Sequence, residues 1–237
     1  MTELILALVT FLTSSITALV GIGGGMMLIA IMPSFLPLNA IIPVHGLSQL
    51  SSNLSRAVFG YKDIQFEVIP KFLLGSFIGI GIFVSILNFI SLEYVPLFIG
   101  TYILLSLWSE KFNEKIKKYE SYFLAGFFQT GLSMVVGATG PLTMTLLLKD
   151  YKDKDKVVAT GAVLMSITHI LKVFVFMYFG FVFFDYIGII IAMIIGSIAG
   201  SWLGSKLRDK IDAKKFIIIL KVLLTALAIK IIVSVFI

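Results

Sequence analysis

The chain has 237 residues, 59% of them hydrophobic and 14% charged, with no cysteine and a formal net charge of +6, and its mean hydropathy is +1.05. Soluble domains carry about 25% charged residues, so a soluble globular protein is excluded; the lack of cysteine excludes disulfides, iron–sulfur clusters and thiolate zinc sites. The positive balance reads as the loop bias of a membrane protein rather than as an affinity for nucleic acid.

Eight apolar segments follow one another, at about 3–33, 38–60, 66–90, 93–109, 118–148, 157–181, 184–205 and 214–237. The first carries Glu3, no basic n-region and no small-residue cleavage site after Val20. It therefore reads as a retained membrane segment rather than a signal peptide. Val20-Gly21-Ile22-Gly23-Gly24-Gly25 interrupts it. The second segment carries His45, Ser48, Gln49, Ser52, Asn53 and Arg56, whose spacings of three and four put them on one helical face. Such a stripe lines a cavity or packs against the broken segments. Gly75 and Gly79 in the third segment have the spacing of close helix packing.

Glu110 to Glu120 is the longest polar stretch and reads as the connection between two halves. The fifth segment is interrupted by Val136-Gly137-Ala138-Thr139-Gly140-Pro141. The sixth carries Thr160, Ser166, Thr168, His169 and Lys172, the seventh the packing glycines Gly196, Gly200 and Gly204, and the eighth Lys221 and Lys230, which read as snorkelling.

Three matches in the same order indicate a duplication within a single transmembrane domain, with repeats over 1–110 and 118–237. The glycine breaks lie 116 residues apart, as do Ser52-Asn53-Leu54-Ser55-Arg56 and Thr168-His169-Ile170-Leu171-Lys172. Gly75-Ser76-Phe77-Ile78-Gly79 and Gly196-Ser197-Ile198-Ala199-Gly200 lie 121 apart.

Loop charge selects a topology. Lys62 and Lys71 follow segment two; Lys111, Lys115, Lys117 and Lys118 follow segment four. Lys149, Lys152, Lys154 and Lys156 follow segment five; Lys206, Arg208, Lys210, Lys214 and Lys215 follow segment seven. If every segment crosses once, these residues divide between the two faces without bias. If segments one and five are re-entrant hairpins of two short helices, all fifteen fall on one face, as the positive-inside rule requires. Each half is then a hairpin plus three crossings, the second half is inverted, and both termini are non-cytoplasmic in a bacterial-type inner membrane. The predicted fold is all-α: a polytopic membrane protein of two inverted repeats whose hairpin tips meet at mid-membrane.

All thirteen acidic residues lie in connections or near the N-terminus, whereas Arg56, Lys172, Lys221 and Lys230 lie within segments. Buried charges in a bilayer usually face a cavity or a partner, so the interior favours an anion. At each break a second helix starts, with unpaired N–H groups and a positive dipole end. Gly21, Gly23, Gly24 and Gly25 with Gly137, Thr139 and Gly140 would form an anion cradle; close glycine packing is the alternative use of the same residues. Arg56 either pairs with the anion through its guanidinium fork or snorkels towards Lys62. Ser52, Asn53, Thr168, His169 and Lys172 complete the expected contacts. His45, Gln49 and His169 are candidates for gating or proton coupling, with a structural histidine as the alternative.

The two glycine breaks and the duplicated layout resemble the TauE/SafE sulfite exporter family over nearly the whole chain. His45-Gly46 and Gly140-Pro141 depart from its common pattern. The resemblance implies a secondary transporter of a small sulfur-containing anion, sulfite or an organosulfonate, working by alternating access. An anion channel, or a carrier of another small organic anion such as a carboxylate, is the alternative. No His-Glu-x-x-His pair, Gly-x-Ser-x-Gly elbow or nucleotide fingerprint is present, so no enzyme, cofactor or metal is expected. The expected partners are the anion and the lipid bilayer, with a homo-oligomer left open.

Overall fold

The computed structural model describes residues 1–87, 89, 91–117, 121–208 and 213–236. The loop residues Lys118, Glu120 and Lys210 lie outside that set. The described residues form eleven α-helices and no strand. Helices α1 (Thr2–Val20) and α2 (Gly24–Ile31) occupy the first apolar segment, and α3 (Leu38–Phe59), α4 (Ile69–Leu87) and α5 (Val95–Trp108) the next three. After α6 (Glu110–Lys117), the second half runs through α7 (Tyr122–Val136), α8 (Pro141–Asp150), α9 (Lys154–Tyr178), α10 (Ile187–Leu207) and α11 (Ala213–Val233).

The α6 helix replaces the expected polar connection. Ser109 Oγ accepts from the Phe112 amide at 3.2 Å, which caps the first turn. The Phe112 ring then packs edge-on against Tyr102, with centroids 6.1 Å apart.

Four helical stretches are long and apolar enough to cross a membrane: Thr2–Val20, Phe66–Ser85, Lys154–Tyr178 and Phe183–Leu207. Helices α3 and α11 are of similar length, and the polar stripe of α3 lowers its hydropathy. Leu4, Leu8 and Leu12 of α1, Phe77, Ile78 and Ile82 of α4, and Ile191, Ile195 and Ile198 of α10 all face outward. Apolar belts of this extent are stable against lipid, where each helix satisfies its own backbone. The protein is an all-α polytopic membrane protein.

Glycines set the helix pairs. Gly196, Gly200 and Gly204 of α10 lie on the carbonyl oxygens of Ala7, Phe11 and Ser15, where an added Cβ would come within 2.2–2.4 Å. The rising register on both helices makes α1 and α10 parallel. Gly75 and Gly79 of α4 lie on the Phe123 and Phe127 carbonyls in the same way, at 1.9 and 2.2 Å, so α4 and α7 are also parallel. By contrast α3 and α9 run antiparallel, with Gly46 against Lys172 and Gly60 against Ala159. Helices α5 and α11 are antiparallel too: Gly100 meets Ile232, and Trp108 Nε1 donates to Thr225 Oγ1 at 2.9 Å. Each half thus lends its first helix to the other half's fourth.

The breaks are built on positive φ. Gly21 has φ 91°, Gly23 98° and Gly137 74°, values costly for any residue with a Cβ. They do not sit as the sequence led us to expect. The arms of the first break are unequal, 19 residues in α1 and 8 in α2, because the helical pattern of the first segment runs on to Val20 before any glycine stops it. Each break packs against the short helix that follows the other: Gly21 meets Met144 of α8, and Gly137 meets Ile29 of α2. Residues of both breaks line one cavity.

Candidate functional site

That cavity has a volume of about 50 Å³. Its walls are Thr17 of α1, Gly21, Gly23, Gly25 and Met26 at the first break, His45, Gln49, Asn53 and Arg56 of α3, Ala138 and Gly140 at the second break, Thr143 and Met144 of α8, and Gly161, Met165 and His169 of α9. The polar stripe of α3 faces inward because the opposite helix face is apolar and meets lipid: Leu54 and Val58 are exposed while Ser52, Asn53 and Arg56 are buried.

Arg56 is the cation of this cavity. It is 5% exposed, so it does not snorkel. Its Nη2 donates to Asn53 Oδ1 and its Nε to the Ser52 carbonyl at 3.3 Å. No carboxylate pairs with it among the described residues. Asp155, at the start of α9, is bound by Arg208, whose Nε also donates to the Ala18 carbonyl at 2.9 Å.

The two helix starts are unequal. No side chain caps α2, and Gly23, Gly25 and Met26 at its N-terminus line the cavity, so its first-turn N–H groups are open to a ligand. Helix α8 begins with Pro141, which lacks an N–H. In its first turn the Thr143 amide donates to Gln129 Oε1 at 3.1 Å, and the Thr143 hydroxyl bonds the same oxygen. Gln129 Nε2 donates in turn to Thr168 Oγ1 at 3.3 Å, and the Thr139 hydroxyl donates to the Gln129 carbonyl at 2.9 Å. Gln129 therefore takes up one of the first-turn amides of α8 that the expected cradle would use.

Of the expected contacts, Gly21, Gly23, Gly25, Asn53, Arg56, Gly140 and His169 converge on the cavity, with His45 and Gln49. The rest pack behind it. Gly24 lies on the Thr13 carbonyl. Ser52 Oγ is 3.3 Å from Ser201 Oγ, and Thr168 Oγ1 is 3.1 Å from Thr130 Oγ1. Lys172 is fully buried, donates to the Gly137 carbonyl at 2.6 Å and lies 3.5 Å from His169 Nδ1. Its charge sits where the C-terminal carbonyls of α7 need a cation. Lys221 and Lys230 do not enter the cavity: Lys221 Nζ stands 3.9 Å over the Trp108 ring, and Lys230 donates to Ser34 Oγ at 3.1 Å. Gln129 and Thr143 were missed by the sequence reading, although a lone glutamine in the apolar arm before a break is a readable signal.

The sulfite exporter TauE/SafE family model matches residues 6–231. No curated protein and no solved structure matches the chain. A match over nearly the whole length, on an all-helical membrane protein with a buried cation beside a glycine-broken helix, establishes that the chain belongs to the sulfite exporter TauE/SafE family, a family of membrane anion transporters.

Proposed function

We propose that the protein is a secondary carrier of a small sulfur-containing oxyanion, sulfite or a small organosulfonate, bound in the cavity between the two breaks. The observation that carries this reading is Arg56: a buried guanidinium without a carboxylate, in one wall with the uncapped start of α2. A desolvated cation beside free helix N–H groups is a site for an anion. Asn53, Gln49 and His169 add hydrogen-bonding groups around it. The cavity volume favours a small solute: a single water needs about 10–15 Å³ by this measure, so the space holds about four water-sized groups. Thiosulfate or taurine would have to displace side chains.

The reciprocal pairing of α1 with α10 and of α7 with α4, around the antiparallel pairs α3–α9 and α5–α11, supports two inverted repeats over 1–110 and 118–237. Movement of one repeat against the other would expose the cavity alternately to each face. With no nucleotide-binding motif in the chain, the anion's own gradient or an ion gradient drives it. The expected setting is a bacterial-type inner membrane with both termini non-cytoplasmic. In that topology, single cysteines at Lys154 and Asp185, both exposed at opposite ends of the α9 region, label with an impermeant thiol reagent from opposite faces; labelling from one face rejects it. The cysteine-free background makes the readout unambiguous.

Purified protein in liposomes tests the function directly. Sulfite, thiosulfate, sulfoacetate, taurine and simple carboxylates are offered in turn. Saturable sulfite uptake with counterflow is expected. Non-saturating flux without counterflow would identify a channel, and preference for carboxylates would overturn the substrate class.

A further inference from the structure

The two histidines that line the cavity carry a finer specification of the substrate, which rests on the carrier reading above. His45 and His169 are 0% and 1% exposed, line the same cavity and meet edge-on with ring centroids 5.8 Å apart. Each has one nitrogen engaged. His45 Nε2 lies 3.0 Å from the Gly25 carbonyl. A carbonyl only accepts, so Nε2 carries the proton and Nδ1 of the neutral ring is a bare acceptor. His169 Nδ1 lies 3.5 Å from Lys172 Nζ. An ammonium only donates, so Nδ1 accepts and Nε2 carries the proton. The two remaining nitrogens, the acceptor His45 Nδ1 and the donor His169 Nε2, have no hydrogen-bond partner among the described residues.

A buried unpaired donor and a buried unpaired acceptor in neighbouring rings cost stability unless something satisfies both. A fully ionised oxyanion satisfies the donor and leaves the acceptor bare. An oxyanion that keeps one acidic O–H satisfies both: an ionised oxygen accepts from His169 Nε2, and its O–H donates to His45 Nδ1. We propose that the transported species is a singly protonated oxyanion of the hydrogensulfite type, not the dianion and not a sulfonate, which has no O–H. His45 reads the proton of the substrate, and Lys172 acts as a positioning residue that holds His169 in the donor tautomer. The charged and titratable side chains around the pair are Arg56 on α3 and Lys172 on α9; α1, α2, α7 and α8 add no ionisable side chain to the cavity wall.

The test uses the intact protein in liposomes with sulfite, selenite, sulfate and methanesulfonate as probes, each below and above neutrality. Sulfite and selenite exist largely as singly protonated anions on the acid side, whereas sulfate and methanesulfonate carry no O–H at either pH. Expected are uptake of sulfite and selenite that rises on the acid side, and exclusion of sulfate and methanesulfonate by about tenfold or more, the effect of one unmatched buried hydrogen bond. His45→Leu leaves no acceptor at this position, giving up the N–H to the Gly25 carbonyl as well, so it should collapse the preference for sulfite over methanesulfonate. If that variant does not fold, the wild-type panel still decides. Methanesulfonate carried as well as sulfite overturns the inference and leaves the carrier reading standing; no flux of any anion overturns both.

Discussion

Arg56→Gln is expected to lower the apparent affinity for sulfite by about ten- to a hundredfold, the loss that follows when hydrogen bonds to a charged group worth about 1.5–3 kcal/mol are removed. Folding should survive. The glutamine amide nitrogen takes the place of Arg56 Nε beside the Ser52 carbonyl, only the bond to Asn53 Oδ1 is given up, and no buried carboxylate is left without its cation. Arg56→Lys should fall between, because it keeps the charge and loses the planar fork that grips two oxygens. Lys172→Gln provides the contrast. Sequence reasoning puts the two cations in equivalent positions, yet Lys172 is bound to the Gly137 carbonyl at 2.6 Å and stands outside the cavity. Its loss should show first as a lower melting temperature in detergent and, because His169 is no longer held in one tautomer, as a weaker preference for sulfite over methanesulfonate, with a smaller loss of sulfite affinity than in Arg56→Gln. The measurement is concentration-dependent sulfite uptake in liposomes beside thermal unfolding of each variant. Wild-type affinity in Arg56→Gln would remove Arg56 from the site.

That contrast marks the boundary of what the chain discloses. The helices were legible because lipid imposes long apolar runs, and because positive-φ breaks demand glycine: Gly21 and Gly137 stand out in any reading. Close helix packing was legible in Gly75, Gly79, Gly196 and Gly200, since only glycine lets a backbone approach a carbonyl so closely, whereas the partners and their parallel direction were not. The polar stripe of α3 also announced a cavity. What failed was symmetry. A duplicated sequence suggests duplicated roles, but a two-fold arrangement constrains backbones more than side chains. Gln129 takes up a first-turn amide of α8, and the residue 116 positions earlier, Thr13, bears no side-chain amide that reaches the start of α2. Asn53 and His169 occupy matching positions, and one supports Arg56 while the other carries an unpaired ring nitrogen. Such differences are decided by contacts between residues far apart in the chain, which periodicity does not encode. The α6 helix was missed for a smaller reason: its eight residues include only two apolar ones, Phe112 and Ile116, too few for a periodic signal.

The matched glycines Gly24 and Gly140 give the sharpest test of that broken symmetry. They stand 116 residues apart at the starts of α2 and α8, and the sequence treats them alike. At Gly24 an added Cβ would lie 1.9 Å from the Thr13 carbonyl oxygen and 2.2 Å from Thr17 Oγ1. The first atom is backbone of α1, so no rotamer change relieves the clash, and α2 must move away from α1. Overpacking of this kind costs about 1–3 kcal/mol or more, and here it also displaces the N–H groups that face the anion. Gly24→Ala is therefore expected to give little folded protein, and no transport from what does fold. At Gly140 the backbone is helical, with φ −47°, and nothing lies within 4 Å of an added Cβ. Gly140→Ala should fold with an unchanged or slightly raised melting temperature, since alanine at a compatible position restricts the unfolded chain. The methyl group enters the cavity, so any change should appear in transport alone. Size-exclusion chromatography and thermal unfolding in detergent read the two variants side by side. Equal damage in both would mean that the two breaks are packed alike, and the one-sided site, with its anion held at α2, would have to be abandoned.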